Sequence, residues 1–210
     1  LKGILAHTKR IHWIRLLYAF PKHITDDLLT LMAKEERICK YLDVPLQHIS
    51  ERILLSMNRK FTQTQTKTLI ERIRTRVPQC SLRTAFIVGY PGETDKEFKE
   101  LCQFVQDFAF DHVGVFQYSK EEGTKAAQIK NQIPGRIKRE RYNTLMKIQQ
   151  SISKKNLERF VGQKIEVVID EKEEKEVFIG RSQYDAPEAD GVVYVKTRQL
   201  LQPGDFIQVK

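Results

Sequence analysis

The first three quarters of the chain alternate between short apolar runs and longer stretches with helical periodicity. Four apolar runs predict strands, at Ile14–Phe20, Tyr41–Leu46, Leu82–Val88 and Val113–Tyr118. Between them, apolar residues recur every three or four positions, which is typical of amphipathic helices. Strands that alternate with helices in this way predict βαβ units and a parallel sheet. The fold class is therefore α/β, and four units are fewer than the eight of a closed barrel.

Helix signals follow each of these strands. Thr25 is expected to cap a helix, Ser50 to open a short helix that ends at Met57, and Pro134 to begin a long one. The segment FTQTQTKT at residues 61–68 alternates without an apolar face, so a polar loop is expected there. A helix is expected to follow it, with Leu69, Ile70, Ile73 and Val77 on its inner side.

The stretch from Leu82 to Glu97 is predicted to be a strand, a tight turn and a helix start. Gly89, Pro91 and Gly92 end the apolar run, and Thr94 and Glu97 have capping-box spacing. A glycine turn before a helix lets the backbone approach a ligand closely. Most such turns bind nothing, so a purely structural role remains open.

A second candidate position follows the Tyr41–Leu46 run. The carboxyl ends of parallel strands meet at one edge of a sheet, where ligands bind. Gln47 and His48 follow that strand directly and are expected at this edge. A surface-loop histidine is the alternative.

After Phe160 the helical periodicity stops. Four short alternating runs predict strands, at Lys164–Ile169, Val177–Arg181, Val192–Val195 and Phe206–Val209. Turn signals at Asp190-Gly191 and Pro203-Gly204-Asp205 separate them. Short strands without helices predict a small β-barrel. We therefore expect two domains, at residues 1–159 and 160–210.

Composition adds a charge asymmetry. The chain has 36 Lys and Arg against 27 Asp and Glu, a net charge of +9, which favours a polyanionic partner such as RNA. From Phe160 onwards, however, seven basic residues face ten acidic ones, so the positive excess lies in the first domain. Basic proteins are also common without such partners.

Three cysteines lack the paired spacing of zinc sites or disulfide frameworks, which favours a reducing cytoplasm. No apolar run is long enough to cross a membrane.

Five segments, in this order, resemble the methylthiotransferases of the radical S-adenosylmethionine (SAM) enzymes. They are WIRLLYAFP, KYLDVPLQHIS, LRTAFIVGYPGET, VGVFQYSKEEGT, and GRSQYDAPEADGVVYV with PGDF. The resemblance runs from Trp13 to the last residue. It implies a partial parallel (βα) barrel of radical SAM type, followed by a small all-β, OB-like TRAM barrel.

Within that branch, the chain resembles the RimO-type group rather than the tRNA group. The tRNA group usually has Ser-Gly after PLQ, whereas His48 follows PLQ here. The DAPEADGVVYV segment is similar to the RimO-type group as well. An acidic tail also suits a basic ribosomal protein better than RNA.

The resemblance implies that a methylthio group is added to the β-carbon of an aspartate in a small-subunit ribosomal protein. It implies S-adenosyl-L-methionine, two 4Fe-4S clusters and an electron donor, with the ribosomal protein or ribosome bound through TRAM. Contact with RNA is also expected from the charge. Two alternatives remain, a tRNA adenosine methylthiotransferase and a non-catalytic RNA- or ribosome-binding module.

The sequence departs from this family at the cluster motif. The pattern Cys-x3-Cys-x2-Cys is absent, and Cys39, Cys80 and Cys102 match neither cluster. We therefore expect a fragment that lacks the first two barrel strands, all cluster ligands and any assignable catalytic residue. It is expected to be inactive by itself.

The resemblance also implies a set of cofactor-binding positions. The turn from Val88 to Glu93 would lie along the adenosine, Phe116 and Tyr118 would border adenine, and Gln47 and His48 would lie near the ribose or target residue. Arg83 would reach the methionine carboxylate if its side chain faces inward. The full set is Gln47, His48, Arg83, Val88, Gly89, Pro91, Gly92, Glu93, Phe116 and Tyr118.

Overall fold

A parallel sheet forms the centre of the first part of the chain, in a computed structural model that describes residues 1–210. Its strands are β1 (Ile14–Leu16), β2 (Ile38–Asp43), β3 (Ser81–Val88) and β4 (His112–Gln117). They pair in the order β1-β2-β3-β4, and every pairing is parallel. Sequential parallel order with a helix between neighbours is the arrangement of a partial (βα) barrel, as the sequence predicts.

Six α-helices accompany this sheet. They are α1 (Lys2–His7), α2 (Asp26–Lys34), α3 (Glu51–Ser56), α4 (Gln63–Arg76), α5 (Asp95–Phe108) and α6 (Gly135–Leu157). The predicted caps are confirmed, since the Thr25 and Ser50 hydroxyls accept the Leu28 and Ile53 N–H groups. None of these helices combines the length with the apolar character that a membrane span requires.

Side-chain alternation gives the parallel sheet two different faces. On the outer face, Leu42, Leu82 and Phe86 join a core of 23 buried residues that the helices supply. The inner face carries residues of the opposite parity, among them Tyr41 and Arg83. That face is where a barrel-type fold keeps its chamber.

An antiparallel sheet forms the second part of the chain, here called the β-domain. It comprises β5 (Ile165–Glu174), β6 (Val177–Ser182), β7 (Val193–Lys196) and β8 (Phe206–Val209), in the order β7-β6-β5-β8. Its small core is Val167, Ile169, Phe178 and Val195. The sheet curls as a half-barrel, which confirms the predicted all-β tail.

Four elements differ from the sequence-based expectation by more than one residue, and one of them is β5, which ends at Glu174 and not at Ile169. β1 ends at Leu16 and not at Phe20, because the chain turns at Tyr18, where φ is +56° and the side chain is 79% exposed. The strand expected at Tyr41–Leu46 lies at Ile38–Asp43. Residues 63–68, expected as a loop, form the first turns of α4.

The start of α4 has a local cause. Thr62 and Gln65 form a capping box in which each side chain accepts from the other residue's backbone N–H. This pair stabilises a helix start that has little apolar surface, and the lack of an apolar face is what made the segment look like a loop.

Candidate functional site

The segment that follows β2 is joined to the end of β3 by backbone hydrogen bonds. Gln47 has φ of +72° and pairs with β3 as an isolated bridge, through its N–H to the Ala85 carbonyl (2.8 Å) and the Ile87 N–H to its own carbonyl (2.8 Å). The positive φ is unusual for a side-chain-bearing residue. It places Gln47 beside the last residues of β3, at the edge of the sheet where the strands end.

His48 and Glu93 meet in the interior behind that turn. Both side chains are fully buried, and His48 Nε2 lies 3.1 Å from Glu93 Oε1. Since His48 Nδ1 accepts the Ser50 N–H at 2.9 Å, Nε2 carries the proton and donates it to Glu93. His48 is thus neither a surface-loop histidine nor a group that faces the chamber.

Arg141 of α6 completes this buried network. Its Nη1 donates to Glu93 Oε2 at 2.7 Å, and its Nη2 donates to Asp95 Oδ1 at 2.7 Å. Glu93 Oε2 also accepts the Gly89 N–H. The Glu93 carboxylate therefore accepts from three donors of its own chain, and it fixes the glycine turn to α6 rather than pointing at a ligand.

A second carboxylate holds the other side of the turn. Arg52 donates to Glu97 through Nε (2.9 Å) and Nη2 (2.6 Å), and to the Gly92 carbonyl at 2.7 Å. Burial opposes ionisation of Glu97, but hydrogen bonds from Arg52, Thr94 and Ser50 outweigh it and lower its pKa to about 2. Glu97 is therefore ionised at neutral pH, and it links α3, the turn and α5.

Gly89 is packed against α6 rather than open to solvent. Its φ is +70°, and a Cβ there would overlap Cγ of Lys138. Lys138 Nζ in turn donates to the Tyr118 carbonyl at 2.7 Å, and the Tyr118 and Tyr90 rings are 5.4 Å apart in an edge-on contact. The glycine is needed for close packing of its own chain, and Tyr118 belongs to the same layer.

The side chains that face the chamber at this edge are few. Val88 is fully buried in the main core, so its side chain points away from the chamber, whereas Ile87 has inner-face parity. Phe116 lies on the inner face near the end of β4 and is 57% exposed. Pro91 is buried and Gly92 is partly exposed. Phe116, Ile87, Gln47 and Gly92 are thus the groups that a ligand would meet.

The cysteines do not form a metal site. Cys39 and Cys80 are buried, and no group of three or more His, Cys, Asp or Glu side chains is arranged to hold an ion. Burial and the nearby Asp111 carboxylate raise the pKa of Cys80 to about 12, and burial followed by Glu93 raises that of Cys102 to about 11. In the folded chain these two thiols are therefore protonated at neutral pH.

A buried cluster of polar groups lies at the other end of the inner face. Asp190, from the loop between β6 and β7 of the β-domain, has a side chain only 2% exposed. It accepts from Tyr41 Oη (2.6 Å), Arg83 Nε (3.2 Å) and the Ala186 N–H (2.8 Å), and its Oδ1 lies 3.4 Å from His112 Nδ1. The tip of the β-domain loop therefore reaches the inner face of three successive strands.

Arg83 faces inward, as its predicted role requires. It lies in register with Asp43 and His112, and its Nη1 is 3.5 Å from Asp43 Oδ1. Burial opposes its charge, yet Asp43 and Asp190 together raise its pKa. Arg83 lies near the start of β3, about 20 Å along the strand from Gly89. Its contact with the methionine carboxylate stays a prediction, and one ligand touching both would have to span most of the strand.

Further contacts join the β-domain to β1 and to the two residues before it. Arg15 Nη2 donates to the Ser182 carbonyl at 3.0 Å, and His12 Nε2 lies 2.9 Å from Glu166 Oε2. The Trp13 and Phe206 rings meet edge-on at 4.9 Å. The β-domain is thus fixed to the sheet at two separate places.

The sequence reasoning missed Arg141, Lys138 and Asp190. Arg141 and Lys138 belong to a helix whose many basic residues indicate a solvated face. A signal for Asp190 did exist, since Asp43, Arg83 and His112 are charged or polar residues within or bordering predicted strands and need buried partners.

Comparison with known proteins agrees with this architecture. Residues 3–105 match the family model of the radical SAM superfamily, and residues 161–210 match that of the TRAM domain. Among solved structures, coproporphyrinogen III oxidase (HemN) from Escherichia coli, described as a radical SAM enzyme, superimposes with a TM-score of 0.52 at 20% identity. It covers 69% of this chain and 32% of its own. That likeness concerns the fold alone.

Curated relatives are much more similar in sequence. The ribosomal protein uS12 methylthiotransferase RimO of Desulforamulus reducens is 50% identical over 202 residues, which is 95% of this chain and 46% of the relative. RimO of Aquifex aeolicus is 45% identical over 208 residues, 98% of this chain and 48% of the relative. The chain thus spans just under half the length of the curated relatives it matches. The first part of the chain thus belongs to the radical SAM superfamily and the second to the TRAM domains, and almost the whole chain is similar to the RimO proteins.

Proposed function

We propose that the chain is part of a methylthiotransferase that modifies a ribosomal protein. The observation that carries this proposal is the 50% identity along 95% of the chain to a protein named as a uS12 methylthiotransferase. The fold supports it, because both parts of the chain match domains of a radical SAM enzyme with a TRAM tail. We place the division between the two at residue 160, as predicted.

We propose further that the target is the β-carbon of an aspartate in a small-subunit ribosomal protein. His48 after PLQ supports the ribosomal rather than the tRNA branch, by resemblance. The charge of the β-domain supports it on physical grounds, since seven basic residues against ten acidic ones suit a basic protein partner.

S-adenosyl-L-methionine is the proposed ligand at the carboxyl ends of β2, β3 and β4. When bound, it supplies the methyl group and the reactive carbon centre of the chemistry. The Phe116 ring fits such a ligand, because it is 57% exposed on the inner face near the end of β4 and offers an apolar surface for stacking. Gln47 and Gly92 offer polar and backbone contacts beside it, with Tyr118 and Pro91 in the layer behind.

His48 and Glu93 act in this proposal by positioning. They hold the turn from Gly89 against α6 through Arg141, so that its backbone keeps one conformation. Val88 contributes through the same backbone rather than through its side chain.

The iron–sulphur clusters do not fit the residues of this chain. None of the three thiols has a second ligand beside it, so their ligands have to come from residues that this chain does not contain. We accordingly propose that the chain alone catalyses nothing, and that it requires an electron donor only as part of a cluster-bearing protein.

The activity is tested in cells from which the gene has been deleted. Mass spectrometry of the small-subunit ribosomal proteins should show that one aspartate-containing peptide has lost a methylthio group, with tRNA nucleosides unchanged. Loss from a tRNA adenosine would favour the tRNA branch instead. If neither the ribosomal proteins nor the tRNA nucleosides change, both methylthiotransferase hypotheses are overturned.

The ligand is tested on the chain itself. Equilibrium dialysis should show saturable binding of radiolabelled S-adenosyl-L-methionine, weakened about tenfold or more by Phe116→Ala, since one aromatic stacking contact on a base contributes about 1–3 kcal/mol. Tyr194→Ala removes an equally exposed aromatic ring from the β-domain and is the matched control. Equal affinity of the two variants would remove Phe116 from the site.

RNA binding is a second candidate, and the charge of the first domain favours it. All of the positive excess lies before Phe160, with exposed basic residues such as Arg139, Lys147 and Lys154 along α6. A fragment of ribosomal RNA should then bind with an affinity that falls steeply with salt. Salt-independent or absent binding would dismiss this candidate.

A further inference from the structure

A groove opens the inner face of the parallel sheet to solvent beside β4. Its volume is about 780 Å³, and it runs between α6 and the β-domain loop at residues 189–191. Arg83 and Gly114 form its floor, and Asn143, Lys147 and Gln150 of α6 form one wall. β4 is an edge strand, so nothing in the sheet covers this side. The groove therefore gives a ligand lateral access to Arg83.

The guanidinium of Arg83 is held in one orientation by two carboxylates. Nε donates to Asp190 (3.2 Å) and Nη1 lies 3.5 Å from Asp43, while Nη2 has no hydrogen-bond partner in the chain. Gly114 leaves room next to this nitrogen, because a Cβ at position 114 would lie 3.5 Å from it. One donor edge of a fixed guanidinium is thus left free beside the groove.

Asp190 has the features of a positioning group. Its own orientation is fixed by Tyr41 Oη at 2.6 Å and by the Ala186 N–H at 2.8 Å. Burial and the hydrogen bond to Asp190 raise the pKa of Tyr41, so that the phenol remains the donor. Because Asp190 comes from the β-domain, the orientation of Arg83 depends on a residue outside the barrel.

We propose that Arg83 binds a ligand carboxylate through this free edge, and that Asp190 of the β-domain is the residue that positions it. Arginine is suited to such a partner, because its fork of N–H donors matches the two oxygens of a carboxylate. The carboxylate has two sources, the amino-acid end of an S-adenosyl compound or an acidic side chain of a protein substrate. This inference deepens the proposed function and rests on it for the identity of the source.

The test uses two pairs of probes in which only one member of each pair carries a carboxylate. The first pair is S-adenosyl-L-homocysteine and 5′-methylthioadenosine, which lacks the amino-acid end. The second pair is a capped glycyl-aspartyl-glycine peptide and its asparagine counterpart. Each is titrated into the whole chain while the Arg83 Nε–H resonance is followed by nuclear magnetic resonance. That resonance reports on the Arg83 guanidinium itself. A structural change elsewhere in the chain would not shift it.

The carboxylate member of one pair should bind about tenfold or more tightly than its partner and shift the Arg83 signal, in line with a charge-assisted hydrogen-bond pair. The pair that shows this difference identifies the source. Arg83→Gln should abolish the difference, and Gly114→Ala, which places a methyl group beside Nη2, should reduce it. Asp190→Asn should weaken carboxylate binding about fivefold, and the matched control Asp205→Asn, in a turn of the same domain, should leave it unchanged.

Equal affinities within both pairs, including no detectable binding of any probe, would overturn the proposal. The proposal would also be overturned if Asp190→Asn shifted the Arg83 resonance but left carboxylate binding unchanged. Equal, saturable binding of the two nucleosides would leave the ligand of the proposed function in place, so the two failures are distinguishable.

Discussion

Replacing Glu93 by glutamine tests whether the buried network behind the glycine turn stabilises the fold. The substitution keeps the size of the side chain and removes its charge. The carboxylate now accepts from His48, Arg141 and Gly89, all of which are donors. A glutamine has one accepting oxygen and one donating nitrogen. Its NH2 group would therefore point at one or more of these three donors, and no hydrogen bond could form there.

The expected loss in free energy of unfolding follows from the burial of Arg141. Its side chain is 7% exposed, and after the substitution its remaining carboxylate partner is Asp95, whose own side chain is 88% exposed. Removing one partner of a buried ion pair typically costs about 3–5 kcal/mol, and the exposed partner places this case at the lower end, about 3 kcal/mol. For a chain of this size that corresponds to a fall in melting temperature of about 6–12 °C.

Urea unfolding provides the measurement, followed by far-ultraviolet circular dichroism and by the fluorescence of Trp13, the single tryptophan. Glu100→Gln is the control, because Glu100 is an exposed residue of α5 without an ion-pair partner, and it should change the free energy by less than about 0.5 kcal/mol. In the double variant with Arg141→Met, the two losses should be less than additive. A loss below about 1 kcal/mol for Glu93→Gln would refute the reasoning.

Three further predictions concern other parts of the chain. The pKa of Glu97 is about 2 in the folded state and near 4.5 in the unfolded state. The Glu97 carboxylate therefore contributes fully to the free energy of unfolding above pH 4.5, and this contribution is lost as the pH falls towards 2. Urea titrations between pH 6 and pH 3 should show the stability gap between wild type and Glu97→Gln narrowing as the pH falls. At pH 6 the free energy of unfolding should differ by about 1–2 kcal/mol between the two proteins, since Arg52, the partner of Glu97, is half exposed. A difference that does not depend on pH would contradict the low pKa of Glu97. Gly180→Ala should unfold the β-domain at a temperature several degrees lower, because a Cβ there would overlap the backbone of β5, whereas Gly135→Ala, which meets nothing within 4 Å, should be neutral or stabilising. Cys80 and Cys102, with pKa values of about 12 and 11, should react with iodoacetamide at pH 8 far more slowly than in urea, and equal rates would show that they are not held protonated by the fold.

Most of the fold follows from local sequence signals. The capping boxes and the apolar spacing of α5 are enough to place β3, its turn and its helix, because each signal acts within four residues. The apolar run predicts a strand that is longer than β1, because the run continues past the last pairing in the sheet. It includes residues such as Leu17, which is 45% exposed. Apolar character alone does not reveal where pairing ends.

The candidate site was predictable only in part, for the same physical reason. The turn at Gly89 is local, and the sequence identifies it. The groups that fix it are distant, since Arg141 lies 48 residues from Glu93. The partner of Arg83 is farther still, 107 residues away in another domain. The pattern of a strand or helix says which face is buried, but it does not say which charged residue of a remote segment will meet it.

The reach of the Asp190 loop into the parallel sheet has a consequence for how such a chain can be rearranged. Exchanging the β-domain for a homologous one that lacks this aspartate would leave Tyr41 and Arg83 without the acceptor that both now share. A chimera made by cutting at the domain boundary would thus carry a defect in the half that was left untouched. The two domains have to be inherited, or engineered, as a single unit.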